Sequence, residues 1–452
     1  MSADSPVGAP GASSTDPFAQ VRTRGYIGLL VMAAVLGVLI SVGAYGFLAL
    51  VNELQPWTYT DLPKALGFRE TPPWWPLPLL AVAGLLVGAT IRHLPGIGGH
   101  KPAEGLSVAG APKPSELPGI LIAAVATLGL GAVLGPEAPL IMLGSGVALW
   151  LARLLKPSLP PQAGAVVGAA GSFAAVSTLL GSPITGAFLL MEVSGIGGPM
   201  LGVVLVPGLL AAGIGSLVFI GMDNWTGLGT YSLAVQDVPH ANPPTGTEFG
   251  WALVIGVAAA LVGTAIRRLA LWLQPRVERH LLPATALMGL VIAGLAIAYA
   301  QGTGKAATEV MYSGQSALGP LLADSATYSV GTLTLLVACK GLAYSVSLSA
   351  FRGGPIFPAM FLGAAGGIAM SHLPGLQLAP AFAMGIGAMS VTMLRLPLTS
   401  VLLATLLLGS QGLTVMPLVI VAVVVAYVVM LRLSPAPTGK SGAGTQKGPA
   451  PA

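Results

Sequence analysis

The chain has 452 residues, of which 54% are hydrophobic and only 8% charged, with a mean hydropathy of +0.84. A soluble domain carries about 25% charged residues, so a water-facing globule of this length is excluded. The formal charge of +5 is modest and scattered, which argues against nucleic acid as a partner and leaves the basic residues as markers of topology.

Aromatic residues are sparse and no sustained alternation of apolar and polar residues occurs, so an outer-membrane barrel does not fit. The long apolar runs read as helices of an all-α polytopic membrane protein. Glycine (62) and proline (38) are abundant. In lipid such helix breakers are tolerated only where protein or a polar cavity satisfies the freed backbone groups, which favours broken helices over a simple bundle. The lone cysteine, Cys339, excludes an intramolecular disulfide.

Residues 1–24 read as a disordered cytoplasmic tail. Arg22 and Arg24 precede the first spanning run, 26–52, and place the N-terminus in the cytoplasm. The next segment carries Trp57, Tyr59, Trp74 and Trp75 as expected interface anchors on the far side. Apolar runs follow at 77–92, 118–134, 138–155, 164–180, 184–193 and 200–221. After a polar loop come 249–274, 283–300, 328–350, 356–371, 378–394, 397–409 and 413–433. Several are too short to cross a ~30 Å hydrocarbon core. Arg267, Arg268, Arg276 and Arg279 belong on the cytoplasmic side, and 434–452 reads as a second disordered cytoplasmic tail.

An internal repeat organises the region between the tails. "GPEAPLIMLG" from Gly135 matches "GPIFPAMFLG" from Gly354, with Pro136/Pro355, Pro139/Pro358, Leu143/Leu362 and Gly144/Gly363 all 219 residues apart. "GSFAAVSTLLGSPITG" from Gly171 matches "GIGAMSVTMLRLPLTS" from Gly385, with Ala174/Ala388, Thr178/Thr392, Pro183/Pro397 and Thr185/Thr399 spaced by 214. Two ordered matches indicate duplication, with halves at about 77–221 and 249–433. Proline-interrupted segments at corresponding places in two halves point to a binding site near the bilayer midplane.

Proline suits the first turn of a helix, where its missing N–H forms no intrahelical bond. The two Gly-Pro-x-x-Pro motifs therefore read as helix starts inside the membrane, each presenting unpaired N–H groups and partial positive charge. Two such starts facing each other make an anion site without a full cation, which would hold the ion too long. Ala138, Leu140 and Ile141 keep N–H groups at the first start, and Ile356, Phe357 and Ala359 at the second. Glu137 stands at the first start. A carboxylate there can occupy the site an anion would use and leave it when protonated, which makes it a candidate gate.

The order of these motifs resembles the CLC family of chloride channels and proton–chloride exchangers over about residues 25–433. The family's G-[KR]-E-G-P stands here as Gly135-Pro136-Glu137-Ala138-Pro139. Its G-x-F-x-P stands as Gly354-Pro355-Ile356-Phe357-Pro358, with the Phe displaced by one. The resemblance implies two inverted repeats with half-membrane helices, a homodimer with a pore in each subunit, and a multi-pass protein of the plasma membrane. It also implies that Glu137 gates chloride or another small anion held mainly by the amides of Gly98, Gly99, Ala138, Ile356 and Phe357.

Two departures bear on function. The family's G-S-G-x-P most nearly matches Gly98-Gly99-His100-Lys101-Pro102, so Gly99 stands where a serine hydroxyl is usual, and the tyrosine expected after the last membrane helix is missing. Exchangers of the family carry an inner proton glutamate where this chain has Val193, with Glu192 beside it. Valine cannot relay a proton, which favours uncoupled conduction; the alternative is a coupled proton–chloride antiporter using a non-standard proton route. His100 and Lys101 read as a charged loop beside the first anion motif, and Lys340, within an apolar run, is expected to snorkel or pair. The five histidines show no metal-ligand spacing, so no metal or cofactor is expected. An intramembrane enzyme would need a second acid–base group near Glu137 or Glu192, and no apolar run supplies a His or Asp. A non-transporting scaffold leaves the duplicated helix starts without a use.

Overall fold

The computed structural model describes residues 23–106, 110–195, 199–233, 235 and 238–434, without the side chains of residues 199 and 200. Almost all of the two expected tails lies outside these. The first half holds α1 (Arg24–Pro56), the single turn α2 (Leu62–Ala65), α3 (Pro76–His93), α4 (Leu117–Gly129), α5 (Glu137–Leu155), α6 (Pro161–Ala175), α7 (Pro183–Ser194) and α8 (Pro199–Thr226). The second holds α9 (Gly246–Arg279), α10 (Leu281–Thr303), α11 (Leu318–Ala323), α12 (Val330–Ala350), α13 (Ile356–Ser371), α14 (Leu378–Leu394), α15 (Pro397–Leu407) and α16 (Gly412–Leu433).

Local chemistry explains these boundaries. Pro161, Pro183 and Pro397 each open their helix, where the lost N–H costs nothing. Thr245 caps α9, accepting from the Glu248 amide while the Glu248 carboxylate accepts from the Thr245 amide, a reciprocal box that satisfies two terminal donors. Ile27, Val31, Val35 and Leu39 recur every fourth residue of α1 and are exposed, so this stripe faces lipid. Trp57 and Trp74 are exposed, as interface anchors require. Trp75 departs from that expectation: it is buried and its Nε1 donates to the Thr58 carbonyl at 2.9 Å.

Among the described residues, eight helices are long and apolar enough to cross a membrane. Others are not: α7 has 12 residues and α15 has 11, which at ~1.5 Å per residue falls well short of the core thickness. The duplication is visible in the packing. In the first half α5 packs on α6, α7 on α8, and α1 on both α6 and α8; in the second α13 packs on α14, α15 on α16, and α9 on both α14 and α16.

The repeated glycines set these crossings. A Cβ at Gly144 would lie 2.5 Å from the Gly171 carbonyl oxygen, and one at Gly171 would lie 2.3 Å from that of Gly144. Gly363 and Gly385 repeat the arrangement at 2.2 and 2.1 Å. The residues that align between the halves are thus the ones that bring α5 onto α6 and α13 onto α14, backbone against backbone. Within lipid, close packing of small residues is a main source of helix association. Gly385→Val is therefore expected to destabilise the protein by about 3 kcal/mol or more, read as a lower melting temperature in detergent; an unchanged melt would mean that the crossing can open.

Candidate functional site

The two proline-led starts meet. Gly135 and Gly354 form an isolated antiparallel bridge, the Gly135 amide donating to the Gly354 carbonyl at 2.8 Å and the Gly354 amide to the Gly135 carbonyl at 2.6 Å. α5 begins at Glu137 and α13 at Ile356, immediately beyond this bridge. Glu137 is fully buried, and its Oε1 accepts a hydrogen bond from the Ile356 amide. The amides of Phe357 and of Glu137 itself also face the carboxylate, while its Oε2 has no hydrogen-bond partner among the described residues. Ile356 is the residue that aligns with Glu137 at the 219-residue spacing, so the carboxylate of one half fills the helix start of the other.

The two glycines make room for it. A Cβ at Gly354 would fall 2.1 Å from the Glu137 Cδ, and one at Gly135 would fall 2.0 Å from its Oε2. Leu134 and Pro136, which precede the carboxylate, line a cavity of about 830 Å³ together with Glu53, Tyr231, Tyr312, Gln315 and Asp324. Of the amides expected to serve an anion, Ile356 and Phe357 face the carboxylate, whereas that of Leu140 is spent within its own helix on the Pro136 carbonyl at 3.0 Å. Ala138 is buried in the first turn of α5.

One face of α12 holds the converging loops. Tyr344 donates to the Pro355 carbonyl at 2.7 Å, and the Ser347 hydroxyl accepts from the Val133 amide at 3.0 Å. One turn before Tyr344, Lys340 is fully buried. It does not snorkel: its Nζ donates to the carbonyls of Glu309, Val310, Met311 and Tyr312 at 2.9, 3.3, 2.9 and 3.3 Å. Four carbonyl dipoles stand in for a counter-ion and satisfy an ammonium that has only three protons. The segment so clamped is tied to the first start, because the Tyr312 amide donates to the Gly131 carbonyl at 3.1 Å.

The first anion motif lies against the same region. Gly96, Ile97, Gly98 and Gly99 all have positive φ, and Gly98 is buried beside Ala123 and Arg352. A Cβ at Gly99 would meet the Met142 sulfur and Ile120, and the Gly99 amide, expected to serve an anion, is spent within its own turn on the Gly96 carbonyl at 2.9 Å. The adjoining Lys101 is neutralised by Glu278 at 2.7 Å, and the His100 ring bonds the Gly105 carbonyl at 2.7 Å, so these two form a structured charged loop.

Glu192 and Val193 lie apart from this cluster. Glu192 accepts from the amides of Leu398 and Thr399 at 3.0 and 2.8 Å and from the Thr399 hydroxyl at 2.6 Å, which caps α15 and complements its dipole. Val193 is a partly buried apolar residue against the core. Arg352, Tyr344 and Ser347 were missed by sequence reasoning. Only Arg352, a cation between an apolar run and a Gly-Pro motif, carried a signal that could have found it.

An all-helical, internally duplicated membrane domain whose half-membrane helices start face to face defines an ion-transport protein built on inverted repeats. The sequence profile described as "Voltage gated chloride channel" matches residues 83–431. The chain belongs to that family, the CLC family. It is similar to the "Putative ion-transport protein YfeO" of Salmonella schwarzengrund (strain CVM19633), 29% identical over 355 residues, covering 77% of this chain and 81% of the relative. The protein so named from Escherichia coli O7:K1 (strain IAI39 / ExPEC) is 26% identical over 418 residues, 90% of this chain and 94% of the relative. Among solved structures, a slow cyanobacterial Cl⁻/H⁺ antiporter superposes with a TM-score of 0.69 at 20% identity, over 90% of this chain and 94% of its own. A CLC-type fluoride/proton antiporter gives 0.64 at 19% identity, over 89% and 95%.

Proposed function

We propose that the protein carries chloride or another small anion passively through a pore in each subunit of a homodimer, with Glu137 as a protonatable gate. The observation that carries this reading is the seat between Gly135 and Gly354, where a carboxylate rests on the Ile356 amide at the meeting of two helix starts. A halide needs the same donors, so carboxylate and anion compete for one place. The chain is then a multi-pass protein of the plasma membrane. Arg267, Arg268, Arg276 and Arg279 face the cytoplasm with both termini, and the large cavity lined by Glu53 and Asp324 opens outside.

Uncoupled movement is the reading favoured over proton exchange. Val193 has no proton to give, and both oxygens of Glu192 are held at the start of α15. The test is chloride and proton flux recorded together in liposomes containing the purified protein. Chloride movement without stoichiometric proton movement is expected. A fixed proton-to-chloride ratio would overturn the uncoupled mechanism, and absence of flux for every halide would overturn transport itself.

A further inference from the structure

α5, α6, α7 and α8 enclose a recess of about 380 Å³, within the ~300–1,000 Å³ of pockets that hold small molecules. Its wall is mainly hydrocarbon, with Leu149, Phe173 and Leu190 among the lining residues. Three serines also line it, and each has spent its hydroxyl proton on a nearby carbonyl. Ser145 donates to Met142 at 3.1 Å, Ser172 to Ile141 at 3.0 Å and Ser194 to Met191 at 2.9 Å. A water molecule held here would need two to four polar partners, so the wall suits a hydrocarbon occupant. The space is open at its glycines: a Cβ at Gly168 would meet nothing nearer than 3.7 Å, unlike the closed crossing at Gly144 and Gly171.

A cation stands at the rim. Ser145, Leu149 and Arg153 all line the recess and recur every fourth residue, so one continuous face of α5 runs along it. Arg153 lies in the last turn of α5 and is exposed, and among the described residues it has no ion pair or hydrogen-bond partner. Lys156, just past the helix, is exposed as well. The recess opens near the membrane face where α1 begins. Tyr26, in the first turn of α1, packs with Val166 of α6 and Val203 of α8 and donates to the Val203 carbonyl at 3.3 Å. Ala165 and Val204, the neighbours of those two valines, line the recess. On the topology proposed above that face is cytoplasmic, and the cytoplasmic leaflet carries the anionic phospholipids.

We propose that this recess seats one acyl chain of an anionic phospholipid, whose phosphate rests on Arg153 at the rim. Hydrocarbon within and a free cation at the mouth fit the two ends of such a lipid and fix its direction, chain inward and head group outward. The site is distinct from the Glu137 seat, although α5 joins them: the helix starts at the carboxylate and ends two residues beyond Arg153. Lipid binding does not draw on anion transport, so either can fail without the other.

The test is native mass spectrometry of the purified, detergent-solubilised full chain, titrated with phosphatidylglycerol, phosphatidylcholine of the same chains, and oleate. The wild type is expected to bind one phosphatidylglycerol per subunit about fivefold more tightly than phosphatidylcholine, the worth of one basic residue beside an anionic head group. Arg153→Gln should erase that preference. Ala169→Leu, which adds bulk to the half-buried wall of the recess, should weaken both phospholipids alike. Equal wild-type affinity for the two phospholipids, a result that needs no variant to fold, overturns the site. A preference that survives Arg153→Gln does the same. Binding untouched by Ala169→Leu would also overturn it, leaving the recess empty or covered by a second copy of the chain. Oleate bound as tightly as phosphatidylglycerol would assign the recess to a fatty acid and overturn the phospholipid.

Discussion

Glu137→Gln is expected to raise chloride flux at neutral pH by roughly ten- to hundredfold, the equivalent of one hydrogen bond to a charged group. It is also expected to flatten the dependence of flux on pH. In the wild type the carboxylate occupies the donors of the second helix start, and a chloride ion arriving at that place meets both an occupied amide and a like charge. Protonation removes the charge, so wild-type flux should rise as the medium is acidified. Glutamine has the same shape and accepts the same amide, but it is neutral at every pH, so its flux should start high and change little. Chloride efflux from liposomes, followed across the acid-to-neutral range, reads both effects. A folded variant that passes no chloride would mean that the carboxylate carries the anion onward instead of blocking it.

Gly354→Ala should act in the opposite direction. Its new methyl group would stand 2.1 Å from the present position of the Glu137 Cδ and 2.5 Å from its Oε1, inside the volume that, on the reading proposed above, carboxylate and anion share. Flux should drop by about tenfold or more. The informative comparison is the double variant, because residues in contact need not act additively. If seat and pathway are one place, removing the gate charge cannot restore conduction past the methyl group, and Glu137→Gln/Gly354→Ala stays low. Recovery to the Glu137→Gln level would place the path of the anion elsewhere.

Much of this architecture could be read from residue order. The 219-residue spacing that aligned Gly135 with Gly354 also paired residues that touch, since their backbones exchange two hydrogen bonds. The Gly144/Gly363 and Gly171/Gly385 matches turned out to be helix crossings. Proline placed the helix starts because its effect is local and independent of the rest of the fold. What sequence could not show depends on approach between distant segments. Lys340 suggested a side chain that snorkels or pairs, because nothing in its own helix reveals that four carbonyls from residues 309–312 close over it. Trp75 looked like an interface anchor until its indole was found bonded beneath the turn at Thr58. Ile97 would be assigned an extended or helical backbone from its type; only the surrounding fold holds it left-handed.

The crossings of α5 with α6 and of α13 with α14 have a kinetic consequence. Where carbonyl oxygens sit within reach of a would-be Cβ on the opposing helix, the two rods meet backbone against backbone, and interiors packed that closely resist displacement. On the gating proposed above, opening then falls to rotation about the side-chain bonds of one residue, Glu137. Motions on that scale belong to the fast end of protein dynamics rather than to the slow rearrangement of domains. Throughput should then be governed by how often a proton arrives at the door, not by how long the walls take to move.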